Sequence, residues 1–171
     1  MYAPMQRKIH AVMAVLIFVM LPLGLVLPTL SEGPRAAFLY EAHKSIGLIL
    51  LALLPLRLLI RVICGAPDDP PAVNPILYRF AKYAHVCLYG LLFFVPLMGL
   101  AGTVSCCAPV VFLGLVPLPL SLAISEAGTK LLFFLHEAGA YILGFAVFGH
   151  VLMAFWHRRK QDGVFERMWP R

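Results

Sequence analysis

Four long apolar runs, at about residues 9–27, 43–64, 83–102 and 130–156, constrain this chain more than anything else in it. Each is close to the ~20 residues that carry an α-helix across ~30 Å of hydrocarbon. Arg7 and Lys8 precede the first run, and a turn-rich stretch at 28–34 follows it. Gly65 and the Pro-Asp-Asp-Pro-Pro stretch at 67–71, which cannot continue a helix, close the second. The fourth ends in His157-Arg158-Arg159-Lys160. The expected fold is therefore all-α: a four-transmembrane-helix bundle forming a single domain over 1–171. Composition agrees, with 61% hydrophobic and 13% charged residues and a mean hydropathy of +0.89. A soluble domain is about 45–50% apolar and about 25% charged, and a disordered chain is less hydrophobic still.

The segment 106–124 is also apolar, but Pro109, Pro117 and Pro119 would break a fifth helix and leave backbone groups unpaired in lipid. Charge gives the same answer. With four spans, eleven of the 14 Lys and Arg fall on the terminal side, and only Arg35, Lys44 and Lys130 fall on the other. That asymmetry places both termini in the cytoplasm, with 103–127 as an outer surface loop on or in the outer leaflet. It also explains the net charge of +6 without nucleic acid, for which the chain has too few polar residues to build a groove. The first run is long and no small-residue cleavage site follows it, so it is expected to be retained as a helix. The adjacent Cys106 and Cys107 are expected to be ordinary residues, since a bridge between neighbours is strained.

All 6 histidines (His10, His43, His85, His136, His150 and His157) lie in or at the ends of these runs. An ionisable side chain at membrane depth is costly and points to function. His136 and His150 are 14 residues apart, which returns to within ~40° of one helix face after a rise of ~21 Å. One helix thus offers an imidazole near each membrane surface. His43 is level with His136 on the outer side; His10 is level with His150 on the inner side, and His85 is slightly deeper. Two imidazoles at one depth across a helical bundle are what a six-coordinate haem iron requires, and two such layers fit one bilayer. The same step of 14 brings Gly24 and Gly99 into the outer layer, leaving room for a flat macrocycle, and Arg57 into the inner one, where it can pair a haem propionate.

Other metal chemistries fail on residue type. His136-Glu137 begins a zinc-protease motif, but position 140 is Ala. A di-iron site needs inward carboxylates, and the runs hold almost none. The chain has no C-x-x-C-H, so haem would be non-covalent; it also has no flavin, iron–sulfur or dinucleotide motif, so oxidising an organic substrate would require a partner.

Several separated motifs, in order, resemble the bacterial cytochrome b561 family, which groups with the b-type subunits of membrane hydrogenases and formate dehydrogenases. They are Arg7-Lys8-Ile9-His10; His43-Lys44-Ser45-Ile46-Gly47 with Arg57-Leu58-Leu59-Ile60-Arg61; Ala84-His85-Val86-Cys87-Leu88-Tyr89 with Pro96-Leu97-Met98-Gly99; His136-Glu137 through Gly139 and Tyr141 to His150; and Phe165-Glu166-Arg167-Met168-Trp169-Pro170. The resemblance implies a cytochrome of the bacterial inner membrane with two haem b groups, exchanging electrons with a quinone. Matched position by position, His10 and His150 are one ligand pair and His43 and His136 the other, with His85 the alternative to His10. Some members oxidise superoxide and reduce ubiquinone, an activity favoured by a positive outer surface. Here the outer side carries Arg35, Lys44 and Lys130 against Glu32, Glu41, Glu126 and Glu137, a departure from that pattern. The alternative is a non-catalytic haem-bearing relay or anchor subunit serving a periplasmic or membrane redox partner. For quinone, the inner end of the fourth run offers His157 flanked by Trp156, with Lys82 and His85 reaching the same region.

Overall fold

The computed structural model describes residues 1–67, 75–106 and 110–169. Expectations that fall on 68–71, Cys107, Pro109, Pro170 and Arg171 lie outside them. Four helices long and apolar enough to cross a membrane dominate: α1 (Pro4–Val26), α2 (Pro34–Cys64), α3 (Pro75–Cys106) and α4 (Glu126–Lys160). All four start earlier or end later than the apolar runs by a turn or more. Once a helix is nucleated, its polar ends go on satisfying their own backbone bonds beyond the hydrocarbon, so hydropathy marks the buried stretch and not the helix.

Local chemistry sets the ends. Pro4 and Pro34 occupy first helical turns, where a missing N–H costs nothing. The Ala3 N–H donates to Gln6 Oε1 at 3.0 Å. α2 stops at Gly65, whose φ of +68° favours glycine. α4 begins with Ser125 Oγ accepting from the Gly128 N–H at 3.2 Å and ends in four basic residues, which suit the helix dipole. Pro22, Pro55 and Pro96 sit inside helices without ending them. A single proline per span is tolerated where neighbours re-satisfy the backbone.

The apolar segment after α3 is not a fifth helix. It holds a short antiparallel hairpin, β1 (Val111–Phe112) with β2 (Val116–Pro117). Leu113 and Gly114, with φ of 54° and 69°, make its turn. The Leu113 N–H donates to the buried Ser45 Oγ at 2.9 Å, which fastens the hairpin to α2, and the Leu122 N–H donates to the Val104 carbonyl at 3.0 Å, which fastens the chain after it to α3. Cys106, expected to be an ordinary residue, is disulfide-bonded. As the last residue of α3 it sits where the backbone leaves helical geometry; Cys64 and Cys87 are free thiols.

Two apolar clusters form the core. Ile9, Met13 and Ile17 of α1 pack on Leu50 and Leu54 of α2. Leu88 and Val95 of α3 pack on Leu143 of α4. Leu92 and Val147 lie against both, closing the middle of the bundle. At the end where the chain termini meet, the Tyr2 N–H donates to the Arg167 carbonyl at 3.2 Å, Gln6 Nε2 to the Gly65 carbonyl at 2.9 Å, and Arg167 Nη2 to the Pro67 carbonyl at 2.8 Å. Those bonds tie α1, the end of α2 and the tail beyond α4 into one face.

Candidate functional site

The helices bring histidines together at two levels. At the hairpin end, the rings of His43 (α2) and His136 (α4) have their centres 6.0 Å apart at an interplanar angle of 82°. At the terminal end, those of His10 (α1) and His150 (α4) are 6.2 Å apart at 79°. A metal–imidazole bond is about 2 Å and each nitrogen lies about 1.1 Å from its ring centre, so one iron bound between two imidazoles separates their centres by about 6 Å. Both pairs have that spacing. His85 (α3) also faces His150, with centres 5.3 Å apart, which is shorter than this arrangement needs.

The pair at the hairpin end is shaped by backbone and by absent side chains. His136 Nδ1 lies 2.8 Å from the Val95 carbonyl. A carbonyl only accepts, so Nδ1 carries the proton and Nε2 keeps its lone pair, the form a metal ligand needs. A Cβ on Gly99 would come within 2.7 Å of that Nδ1, and one on Gly139 within 3.0 Å of Val95. α3 and α4 can approach this closely only because both positions are glycine. The space at Gly99 is therefore taken up by the His136 ring itself, and the room for a macrocycle expected there is not left by this glycine. Gly24 stands off further, its Cβ position 3.5 Å from His43 Cε1. His43 Nδ1 is buried with no hydrogen-bond partner among the described residues.

The level at the terminal end adds a charge. Arg57 is buried, at 9% exposure. Its Nη1 donates to the Gln6 carbonyl over a long 3.4 Å, and its guanidinium lies 6.0 Å from the Tyr89 ring centre. Among the described residues this buried guanidinium has main-chain and π partners, which compensate it poorly, and haem carries two propionates of the opposite sign. His85 is exposed, and its Nδ1 is 2.6 Å from the Ala81 carbonyl one turn back. Among the described residues, no three His, Cys, Asp or Glu side chains converge on one point; imidazoles facing in pairs suit axial ligation of a macrocycle-bound iron. The residues fit haem.

The prokaryotic cytochrome b561 family model matches the chain over residues 1–171. The chain belongs to that family. It is a membrane b-type cytochrome acting in electron transfer. It is also 31% identical over 136 residues to cytochrome b561 homolog 2 of Escherichia coli strain K12, an alignment covering 75% of this chain and 68% of that relative.

In this cytochrome a third group of candidate residues includes the last turn of α4. His157 Nδ1 meets Asp162 Oδ2 at 2.6 Å, both side chains 12% exposed, and Asp162 Oδ1 accepts from the Val164 N–H at 3.1 Å. Trp156 stands edge-on to His157 with ring centres 4.9 Å apart. Lys82, expected to reach the same region, has its ammonium over the Tyr78 ring on its own helix, 4.3 Å from the ring centre. Sequence reasoning overlooked Gln6, Val95 and Asp162. Gln6 alone left a signal, being a polar residue one helical turn before His10 on a helix entering the membrane. The Val95 contact uses a main-chain carbonyl, which leaves no trace in side-chain identity.

Proposed function

We propose that this cytochrome holds two non-covalent haem b groups, one between His43 and His136 and one between His10 and His150, and passes electrons across the membrane between an outer donor and the quinone pool. The reading rests on one observation above all: two imidazole pairs with near-equal ring separations, 6.0 and 6.2 Å, on a helix whose two contributing histidines are 14 residues apart. Bound haem supplies reversible one-electron carriage at each level. Both termini are assigned to the cytoplasm on the distribution of Lys and Arg, in a bacterial inner membrane.

The chain's own groups do the rest. The Val95 carbonyl fixes the His136 tautomer, and Gly99 and Gly139 fix its position. The Leu92 and Val147 contacts keep the space between the two levels dry, where unpaired charge is costly. Arg57 offers a buried cation to a propionate. With Nδ1 of His157 engaged by Asp162, Nε2 is left to exchange a proton with a quinone oxygen, beside Trp156; Lys82 and His85 stand on the neighbouring helix as further members of this end.

Superoxide is the first donor to test. A second reading, that a partner protein delivers the electrons and this chain relays them, draws support from the outer charges. Lys44 is paired with Glu41, and Lys130 with Glu126 at 2.6 Å, so two of the three outer cations already have counter-charges and the surface attracts an anion weakly. The deciding experiment has two parts. Purified protein is expected to show two haems per chain, both low-spin and both extracted by acid–acetone; one haem per chain, or haem retained after extraction, rejects the two-level arrangement. Superoxide-dependent quinone reduction by the isolated chain supports the first reading, and co-purification of a large redox subunit with no such activity supports the second.

A further inference from the structure

A groove of about 250 Å3 opens between the first turns of α1 and the tail that returns beyond α4, lined by Pro4, Arg7, Lys8, Ala11, Met168 and Trp169. Among the described residues its lining contains two cations and no carboxylate. Nε of Arg7, one of the lining residues, is buried with no hydrogen-bond partner among the described residues, an expensive state for a charged donor. Arg61 and Arg167, close by at the same end, are differently placed: each lies over the Tyr2 ring, and each donates to a neighbour, the Tyr2 hydroxyl or the Pro67 carbonyl. From the groove, a strip along α1 continues at helical spacing from Ala11 through Val15, Phe18 and Leu25, the last three 61%, 56% and 58% exposed. It rises ~21 Å from its start. Trp169, 49% exposed, stands at the groove's mouth, where an indole suits the boundary between headgroups and hydrocarbon.

A ligand matched to this surface is anionic at one end and hydrocarbon at the other. We propose that the groove binds an anionic glycerophospholipid, its phosphodiester held by Arg7 and Lys8 and one acyl chain laid along Ala11, Val15, Phe18 and Leu25. Basic pockets at helix ends recognise anionic headgroups in this way. The site lies on the lipid-facing side of α1 and is independent of the haem assignment.

The test uses the detergent-purified, full-length, haem-loaded protein titrated with phosphatidylglycerol or phosphatidylcholine of identical acyl chains, the bound fraction being read by native mass spectrometry. Phosphatidylglycerol is expected to bind roughly tenfold more tightly. The double variant Arg7→Gln/Lys8→Gln should bring the two lipids to within about twofold of each other, while Arg158→Gln/Arg159→Gln, which removes two cations from the same rim outside the groove, should keep most of the preference. Ala11→Phe fills the groove with both cations in place and should weaken phosphatidylglycerol binding; it decides the matter if the charge variant fails to assemble. Equal binding of the two lipids, a preference that survives Arg7→Gln/Lys8→Gln, or an equal loss in Arg158→Gln/Arg159→Gln overturns the proposal. Displacement of phosphatidylglycerol by an equimolar amount of inorganic phosphate also overturns it, in favour of a site for the free anion.

Discussion

At the level of His43 and His136 the protein places glycines, and at the level of His10 and His150 it places a buried arginine. The outer pair is fitted by shape: Gly99 admits the His136 ring, Gly139 lets α3 reach it, and a main-chain carbonyl holds its Nδ1. The inner level holds three imidazoles and the Arg57 guanidinium, which donates to the Gln6 carbonyl. Shape fixes whether a planar group can be seated, while charge fixes how readily it takes an electron, since a cation in a low-dielectric interior acts over several ångströms. The outer level should accordingly fail by losing its haem, and the inner level should respond by changing potential.

Removing ligands is the most severe break. His43→Ala or His136→Ala should halve haem per chain and leave the inner haem's spectrum in place. His10→Ala should remove the inner haem and leave the outer one. His85→Ala should keep both, because its ring lies 5.3 Å from His150, closer than two ligands of one iron need to be. Haem loss in His85→Ala with retention in His10→Ala would exchange the two residues' roles.

Gly99→Ala comes next. Its methyl would meet His136 Nδ1 at 2.7 Å, against backbone-anchored packing that gives little, whereas the methyl of Gly24→Ala would meet His43 at an ordinary 3.5 Å. Outer haem content should fall by about half or more in Gly99→Ala, as expected for overpacking of a fitted site, and stay near wild type in Gly24→Ala. Equal behaviour of the two would mean that shape does not control the outer level.

These contrasts were only partly legible in the sequence. Four apolar runs and the step of 14 between His136 and His150 are periodic signals, and they locate the helices and the two levels. Spacing also brings His10, His85 and His150 to one depth, but it cannot say which two rings face at the greater separation, because that depends on how α1 and α3 cross α4. Helix ends past the hydrocarbon, at residues 34–42 and 75–82, carry no hydropathy signal. The hairpin at Val111–Pro117 turns on positive φ at Leu113, a residue that seldom adopts it. Val95 and Asp162 act through a carbonyl and through a turn after α4, neither of which has a period.

Arg57→Gln tests the inner level more gently. Exchanging a buried cation for a neutral amide removes a charge that favours the reduced, less positive iron. The inner midpoint potential should fall by on the order of 50 mV, with the outer one nearly unchanged. Redox titration of the haem absorbance reads both at once. A larger fall at the outer haem would place Arg57 beside the other level.

His157→Leu should disturb the haems least of all and so reports on quinone alone. His157 lies one heptad beyond His150 on α4, past the inner level, with its Nδ1 held by Asp162 and its ring edge-on to Trp156. Two roles follow from that geometry and they make different demands. If the pair only fastens the tail to α4, Asp162→Asn and His157→Leu should loosen the tail equally and leave quinone turnover alone. If Nε2 passes a proton to quinone, His157→Leu should lower turnover roughly tenfold or more. Asp162→Asn, which keeps a hydrogen-bonding partner for Nδ1 but not its charge, should lower it less. Haem content stays at two per chain in every case. Turnover unchanged in His157→Leu would break the association of quinone with the inner level and move its site to the outer one, beside a ligand pair with no arginine assigned to it.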